Sequence, residues 1–180
     1  MMPQVSIRPL RAGEFTSPRE PDSDFDDFGP QPGLSHPQPC GVDADGRLGV
    51  EADGRLVGLV SWHWRQWGPT AGSRCPMIGI WLYAGSRGAG VGTQAQRLLV
   101  DMLFRHTATN RIEAHTDVDN VAEHRALERA GFTVEGVVRG AQWRDGRFRD
   151  GRLYSVLRAE WQAGSATRRD ADPRSLTMGS

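Results

Sequence analysis

The chain has 180 residues, with 22 basic and 22 acidic side chains and a formal net charge of +0. This length suits one domain of about 150 residues with short tails. No apolar run reaches the roughly 20 residues that cross a bilayer. A neutral chain also lacks the clustered excess of cations that broad nucleic-acid binding requires. Composition therefore predicts one domain over residues 1–161 and a disordered polar tail over residues 162–180.

The cysteines and the first residues bear on compartment and on metal binding. The chain has two cysteines, Cys40 and Cys75, and Met1–Leu10 lacks the charged-then-apolar layout of a secretion signal. We expect a cytoplasmic protein with free thiols and no metal site, since no ligands lie at metal-binding spacing. Every basic residue other than His is Arg, which excludes a Lys nucleophile or Schiff base.

The first part of the chain indicates one strand and a long irregular segment. Residues Val5–Arg11 alternate apolar and polar side chains, which predicts an opening strand. Residues Ala12–Gly41 are rich in proline and acidic side chains, so they have room only for short helical turns. We expect a loop there, with one short helix near Ser23–Phe28.

The middle of the chain predicts a hairpin followed by a central strand. Residues Arg47–Glu51 and Leu56–Trp64 are strand-like, and Asp53-Gly54 between them is a strong hairpin signal. The apolar run Met77–Tyr83 is typical of a strand that is buried on both faces.

The second half alternates helices and strands. Helical periodicity covers Thr93–Phe104. A second helix is predicted over Asn120–Ala130, with Asn120 as N-cap, Glu123 at the capping-box position and Gly131 as the stop. The predicted strands are Arg111–Asp117, Phe132–Arg139, Ala141–Arg144 and Arg152–Arg158, with a turn at Asp145-Gly146. This order favours an α+β domain built on one mixed sheet.

A glycine-rich loop separates the central strand from the first helix. Glycines at 85, 88, 90 and 92 let backbone N–H groups turn inward and let phosphate oxygens approach closely. The start of the helix adds positive partial charge, Arg87 adds a cation and Thr93 a hydroxyl. A Walker loop is excluded because it requires Lys, and a dinucleotide loop belongs in the first strand–helix unit. A diphosphate cradle and a plain helix cap both remain open.

The residues of this loop, RGAGVG at 87–92, resemble the Q/R-x-x-G-x-G/A signature of the GNAT superfamily of N-acetyltransferases. The segments RIEA at 111–114, DN at 119–120 and RALERAGF at 125–132 are similar to the later half of the same family. Together with VEGVVR at 134–139 and LYS at 153–155, they resemble the ribosomal-protein N-terminal acetyltransferases. The likeness spans Val5–Trp161 and implies a mixed, mostly antiparallel sheet with helices on both faces and a splayed central strand pair.

The resemblance also implies how acetyl-CoA would be held. Backbone groups of the strand before the loop would bind the pantetheine arm, and the loop would bind the pyrophosphate. Asn120 would bond the pantetheine or serve only as an N-cap, and Arg125, with Arg129 one turn away, would reach the adenosine phosphates or lie in solvent. The residues assigned to the coenzyme are Ile80, Trp81, Leu82, Arg87, Gly88, Ala89, Gly90, Val91, Gly92, Thr93, Asn120 and Arg125.

Acetyl transfer to an amine needs a base, because a primary amine is mostly protonated at neutral pH. His115 lies on the strand where several family members place a carboxylate base, and imidazole has a suitable pKa. The alternative is a structural His bonded to a backbone carbonyl. His63 is a second candidate, although a packing role is expected for it. Glu113 and Asp117 share a strand face with His115.

The proton donor for the leaving thiolate is where the chain departs from its relatives. Many relatives have Tyr where this chain has Leu127, and the subgroup often has Ser where this chain has His124. Either His124 or Tyr154 would supply the proton, or no side chain is needed.

The expected reaction is transfer of an acetyl group from acetyl-CoA to a primary amine by direct attack, with the carbonyl bonded by a backbone N–H near Leu82. Phe28, Trp62 and Glu113 are predicted to contact the acceptor, and the acidic loop Glu20–Asp27 to attract a cationic one or to lie in solvent. The acceptor would be a small-molecule amine or a protein N-terminus, and the protein a monomer or homodimer. The alternatives are a non-catalytic sensor of CoA and an enzyme that uses another acyl donor, such as aminoacyl-tRNA.

Overall fold

A computed structural model describes residues 2–14, 25–28 and 41–170, without the side chains of 165–170. These residues form one seven-stranded sheet and three α-helices. In chain order the elements are β1 Val5–Arg8, β2 Gly46–Ala52, β3 Arg55–Gln66, β4 Arg74–Leu82, α1 Val91–His106, β5 Arg111–Asp117, α2 Val121–Ala130, β6 Thr133–Arg144, β7 Arg147–Leu157 and α3 Arg158–Asp170. The sheet order is β1-β2-β3-β4-β5-β7-β6, which confirms the predicted mixed α+β fold.

Both hairpins have the Asp-Gly turns that the sequence predicts. Asp53 and Gly54, between β2 and β3, have φ of 50° and 77°, and Asp145 and Gly146, between β6 and β7, have 48° and 71°. Two consecutive positive φ angles are what a two-residue hairpin turn requires, and Asp-Gly accepts them at low cost. The turns fix the register of both strand pairs.

The centre of the sheet opens between β4 and β5. These two strands are parallel, and their register contains only the pairs Met77–Glu113 and Ile78–Ala114. The other neighbouring strands of the sheet are antiparallel and pair over longer stretches. Beyond Ile78 and Ala114 the two strands separate, which confirms the predicted splayed pair.

The hydrophobic core lies on one face of the sheet. Even-numbered side chains of β2, β3, β4, β5 and β7 point into it, among them Val50, Val60, Ile112 and Tyr154. Helix α1 contributes Ala95, Leu99 and Leu103, α2 contributes Leu127, and Trp161 of α3 packs against the cluster. Helices expected on the other face would fall between β1 and β2, mostly outside the described residues. The part described, Phe25–Phe28, contains a turn rather than the predicted short helix.

The C-terminal segment departs from the predicted disorder, because α3 runs to Asp170; residues 171–180 lie outside the described part. Two residues, Trp161 and Arg158, anchor its start. The ring of Trp161 stacks on Phe104 at 5.3 Å, and its Nε1 donates to Asp101 at 3.1 Å. Arg158 donates to the carbonyls of Phe104, Thr107 and Thr109 at 2.9, 2.7 and 2.9 Å. A polar composition alone does not reveal these contacts to the end of α1.

We expect Arg158→Ala to lower the free energy of unfolding by about 2–4 kcal/mol, because three carbonyls at the end of α1 lose a charged donor. Urea unfolding measures the change. The control is Arg105→Ala, which removes only an exposed pair with Asp101 four residues away and should cost less than about 1 kcal/mol. Equal losses in the two variants would show that Arg158 does not stabilise this helix end.

Candidate active site

A cavity of about 270 Å³ occupies the gap between β4 and β5. Its lining comes from both faces of the sheet. Gln96 of α1 and Asn120 and Glu123 of α2 line it on the helix side, as do Ile80 and Thr116. On the opposite side it is lined by Phe25, Asp26, Phe28, His63, Met77, His115, Gln142 and Arg144. The gap in the sheet therefore connects the helix face with the opposite face.

The glycine loop stands at the start of α1. Gly88 and Gly90 have φ of 82° and 79°, and Gly90 is the N-cap of the helix. Within the described residues, the backbone bonds outside regular elements include none donated by the N–H groups from Gly88 to Thr93. Left-handed glycines and unused N–H groups at a helix N-terminus form a donor set suited to phosphate oxygens. The loop thus fits the diphosphate of coenzyme A.

The backbone of β4 presents one unpaired edge to the cavity. Tyr83 donates its N–H to Val57 of β3 at 3.0 Å. Because successive peptide groups in a strand point to opposite sides, the N–H and C=O groups of Leu82 and Ile80 point toward β5. Both residues lie beyond the last β4–β5 pair. The N–H and C=O of Ile80 and the N–H of Leu82 are therefore available to a bound chain of amides, whereas the C=O of Leu82 accepts a bond from Arg87.

Three other residues predicted to hold the coenzyme do not line the cavity. Arg87 is exposed, donates from Nε to the carbonyl of Leu82 at 2.9 Å and pairs with Asp26 at 3.4 Å. The hydroxyl of Thr93 lies 3.5 Å from the carbonyl of Ala126. Arg125 is exposed on α2 and does not line the cavity, so its predicted contact with coenzyme phosphates stays a prediction.

The first turn of α2 carries two polar side chains into the cavity. Asn120 caps the helix by accepting the N–H of Glu123 at 3.1 Å, as predicted, and it also lines the cavity. The other half of the capping box is absent, because Asn120 donates its N–H to the carbonyl of Asp117. The Glu123 carboxylate instead accepts a bond from Gln96. Burial raises the pKa of Glu123 to about 7, so this carboxyl is partly protonated at neutral pH.

His115 faces the cavity from β5. Its two ring nitrogens are buried and have no hydrogen-bond partner at normal distance among the described residues. The ring occupies the space above Gly151 of β7, where an added Cβ would lie 2.0 Å from it. Burial, and then the nearby cations Arg144 and Arg65, lower the pKa of His115. His115 is therefore a neutral imidazole at physiological pH, and its unprotonated ring nitrogen can accept a proton.

The two carboxylates on the same strand face do not join His115 at the cavity. Glu113 is completely buried, accepts a bond from Trp67 Nε1 at 2.7 Å and pairs with Arg111 at 2.9 Å. Asp117 pairs with Arg149 at 2.6 Å. Burial opposes ionisation of Asp117, but the N–H of Asp119 and the Arg149 guanidinium outweigh it and lower its pKa. The predicted contact of Glu113 with the acceptor is thus corrected to a structural pairing.

The two predicted proton donors also lie away from the cavity. His124 is buried, and its Nε2 lies 2.9 Å from the carbonyl of Asp117, to which it donates. Tyr154 is completely buried in the core, and neither residue lines the cavity. Both lie on the core side, where packing and a backbone carbonyl hold them. Their assignment as proton donors is corrected accordingly.

On the side opposite the helices, Phe28 lines the cavity as predicted for a residue that contacts the acceptor. Trp62 does not, because it is 2% exposed in the core and donates from Nε1 to the carbonyl of Ala44 at 2.8 Å. The even-numbered parity of Trp62 on β3 directs it to the helix face, which corrects its predicted role.

Several residues in or beside the cavity were not predicted from the sequence, although two of them carry a recognisable signal. Gly151 interrupts a strand, which marks a close approach by another group, here the His115 ring. Gln96 is a polar residue on the buried side of α1. Gln142 and Arg144 lie on β6 without a distinguishing pattern.

Two kinds of feature do not occur among the described residues: a cluster of metal ligands and a membrane-spanning helix. Within 2–14, 25–28 and 41–170, no three His, Cys, Asp or Glu side chains are grouped as metal ligands would be. No helix in those ranges is long and apolar enough to span a membrane.

Comparison with known proteins points to one family. The model of the acetyltransferase (GNAT) domain matches residues 38–133. Putative ribosomal N-acetyltransferase YdaF of Bacillus subtilis (strain 168) is 32% identical over 114 residues, which are 63% of this chain and 60% of YdaF. A probable acetyltransferase of known crystal structure is 30% identical with a TM-score of 0.59, covering 66% of this chain and 63% of that protein.

A further solved structure, the microcin C7 self-immunity acetyltransferase MccE in complex with acetyl-CoA and AMP, is 27% identical with a TM-score of 0.56. It covers 64% of this chain and 62% of MccE. In each of these pairs the chain spans less than two thirds of the other protein. The family match nevertheless covers more than half of the chain, from the segment before β2 to the start of β6, and the chain belongs to the GNAT acetyltransferase family.

Proposed function

We propose that this protein transfers the acetyl group of acetyl-CoA to a primary amine, supplied by a small molecule or a protein N-terminus. One arrangement carries the proposal: a loop with left-handed Gly88 and Gly90 leads from the end of β4 into α1, and a neutral histidine faces the cavity where β4 and β5 separate. The structure of MccE with acetyl-CoA and AMP and the ribosomal N-acetyltransferase assignment of YdaF support it.

Binding would use the main chain more than charged side chains. The N–H groups of residues 88–93 and the positive end of α1 would hold the diphosphate. The free peptide edge at Ile80 and Leu82 would bond the amides of the pantetheine arm. Gln96 Oε1 is buried without a partner among the described residues, so it would accept an amide N–H, and the side-chain N–H₂ of Asn120 would donate.

The acyl donor, when bound, supplies a thioester carbonyl that an amine can attack. The chain's contribution is to hold amine and carbonyl together and to remove the amine proton. His115 would perform the second task, because its ring nitrogens have no hydrogen-bond partner at normal distance among the described residues and its pKa is lowered. The backbone N–H of Ile80, which lines the cavity with His115, would polarise the carbonyl, rather than that of Leu82, which does not line it.

A proton for the departing sulfur would come from Glu123. It lines the cavity on the helix side, next to the residues that would hold pantetheine, and its pKa near 7 keeps a proton on part of the population. A bound pantetheine would displace water and favour the neutral carboxyl further. Glu123 thus replaces His124 and Tyr154 in the proposed mechanism.

The loop assignment is tested by Gly90→Glu against Gly90→Ala. Both variants force a side chain onto a left-handed residue whose Cβ would meet only the end of the Met2 side chain at 3.0 Å. Only the glutamate adds a negative charge beside the diphosphate. We expect calorimetry with acetyl-CoA to show at least about 100-fold weaker binding for Glu than for Ala. Equal affinities would contradict the assignment.

The base is tested by His115→Ala. We expect kcat for an acetylated amine to fall by about 100-fold or more, while the Kd for acetyl-CoA stays unchanged. The control is His106→Ala, an exposed residue at the end of α1, which should leave both values alone. If His115→Ala kept full turnover, or if the wild type released no thiol with any amine, the catalytic proposal would fail, and the second result would favour a CoA sensor.

Glu123→Gln tests the proton donor through stability and rate. The folded carboxyl has a pKa of about 7, against about 4.3 when unfolded, so the folded state binds more protons between these values. Stability of the wild type should therefore fall as pH rises from about 4.5 to 7. Glutamine removes that loss, so the variant should be more stable than the wild type by about 1–3 kcal/mol at pH 8 and similar at pH 4.5.

In the same variant, kcat should drop, and the decline of kcat above about pH 7 should disappear, because glutamine has no proton to give. Urea unfolding and a pH–rate profile measure the two effects. A higher stability at pH 8 with unchanged kcat would show a buried neutral carboxyl that takes no part in the reaction.

A further inference from the structure

The side of the cavity away from the helices contains a buried arginine. Arg144 is 6% exposed, and its guanidinium carbon lies 4.3 Å from the centre of the Phe28 ring. It donates to the backbone carbonyl of Phe25 and, from Nε at 2.9 Å, to the side chain of Gln142. These partners are neutral, so they satisfy some N–H groups without balancing the charge.

Within the described residues, no carboxylate lies at ion-pair distance from Arg144. The two carboxylates whose charge acts on it are Asp117 and Asp26. Asp117 is held by Arg149 at 2.6 Å, and Asp26 pairs with Arg87 at 3.4 Å. Each is therefore already matched by another arginine, and among the residues that the structure describes Arg144 is a surplus buried charge.

A buried, unpaired charge of this kind destabilises the fold until an anion pairs with it. Removing a cation from water costs several kcal/mol unless it is paired. Burial lowers the pKa of Arg144, yet a guanidinium keeps its proton in proteins. Its planar fork matches a carboxylate better than any other common group. A ligand that brings a carboxylate to Arg144 would recover the lost pairing.

A second cation reinforces the same field. Exposed Arg65 places Nη1 at 3.7 Å from the sulfur of Met77, another cavity residue. Both Arg65 and Arg144 act on His115, where they lower its pKa. The reacting amine would thus lie where two arginines raise the potential, which disfavours an acceptor with several positive charges.

We propose that Arg144 binds an anionic group of the acceptor, so that the acceptor is a small amino acid carrying its amine and its carboxylate in one molecule. This inference rests on the proposed acetyl transfer and specifies its substrate class. The carboxylate would dock on Arg144 beside Phe28, and the amine would reach His115 in the same cavity. In the described part of the acidic segment, Asp26 is already paired with Arg87 and leaves Arg144 available to the carboxylate of the acceptor.

The test compares each amino acid with its own amide, which keeps the amine and loses the negative charge. Suitable pairs have one, two or three carbons between amine and carboxyl: glycine, β-alanine and γ-aminobutyrate, together with α-amino acids of larger side chain. Thiol release from acetyl-CoA gives kcat/KM for each compound. We expect the wild type to favour the acid at least tenfold in one or more pairs.

Arg144→Gln should reduce that ratio to about one, mainly by raising KM for the acid, while calorimetry shows unchanged affinity for acetyl-CoA. Arg144→Lys keeps the charge but loses the fork, and should retain part of the preference. The matched control is Arg139→Gln, an exposed residue of the same strand β6, which should leave the ratio as in the wild type. Thermal unfolding of each variant shows whether the fold is kept.

Two results would overturn the inference: a wild type that turns over no acid or does not prefer acids in any pair, or an Arg144→Lys or Arg144→Gln variant that is folded and keeps the full preference. If Arg144→Gln does not fold, Arg144→Lys decides. Failure of the proposed function is a separate observation, namely absence of acetyl-CoA binding or of acetylation of every amine and amide.

Discussion

The parting of β4 and β5 after two residue pairs is the constraint on which the candidate site depends. A sheet normally satisfies its peptide groups between strands, but here the edge of β4 at Ile80 and Leu82 has no partner strand. The same parting opens a passage through the sheet, so that side chains from opposite faces line one cavity. A coenzyme arm held along β4 could meet a group approaching from the other face without any strand having to move.

The glycine loop depends on this parting as well. Residues 83–90 join the end of β4 to α1, and Gly90, in a left-handed conformation, is the N-cap of the helix. The loop is thereby fixed at the mouth of the gap, and its N–H groups lie at the end of the unpaired strand edge. A diphosphate and an extended amide chain would then bind to consecutive parts of one continuous main-chain surface, without requiring a cation.

Features set by neighbouring residues could be predicted from the sequence, including the Asp-Gly hairpins, the Asn120 cap, the Gly131 stop and the loop. The side of a helix that faces a cavity could not. On α1 the helical periodicity predicts the helix, but it does not show that Leu98 is 37% exposed while Gln96 is buried. On α2 the sequence analysis assigned a proton-donor role to His124 and only a capping role to Glu123, yet the carbonyl of Asp117 holds His124 in the core. These differences of one or two positions depend on which long-range partner each side chain meets.

Burial, more than net charge, sets the chemistry of the cavity. The chain is neutral overall, but its cavity holds a surplus guanidinium at Arg144, an imidazole at His115 kept neutral by that cation and by burial, and a carboxyl at Glu123 whose proton is retained by burial. On the helix side, where a diphosphate carrier would lie close by, a neutral Glu123 avoids repulsion between like charges. On the other side, a neutral His115 can accept a proton, but the nearby cations repel the positive charge that it then carries. An acceptor with its own carboxylate would reduce this repulsion by pairing with Arg144. Across the gap the groups thus follow the order neutral acid, neutral base and cation. A thioester, an amine and a carboxylate would lie beside these groups in the same order.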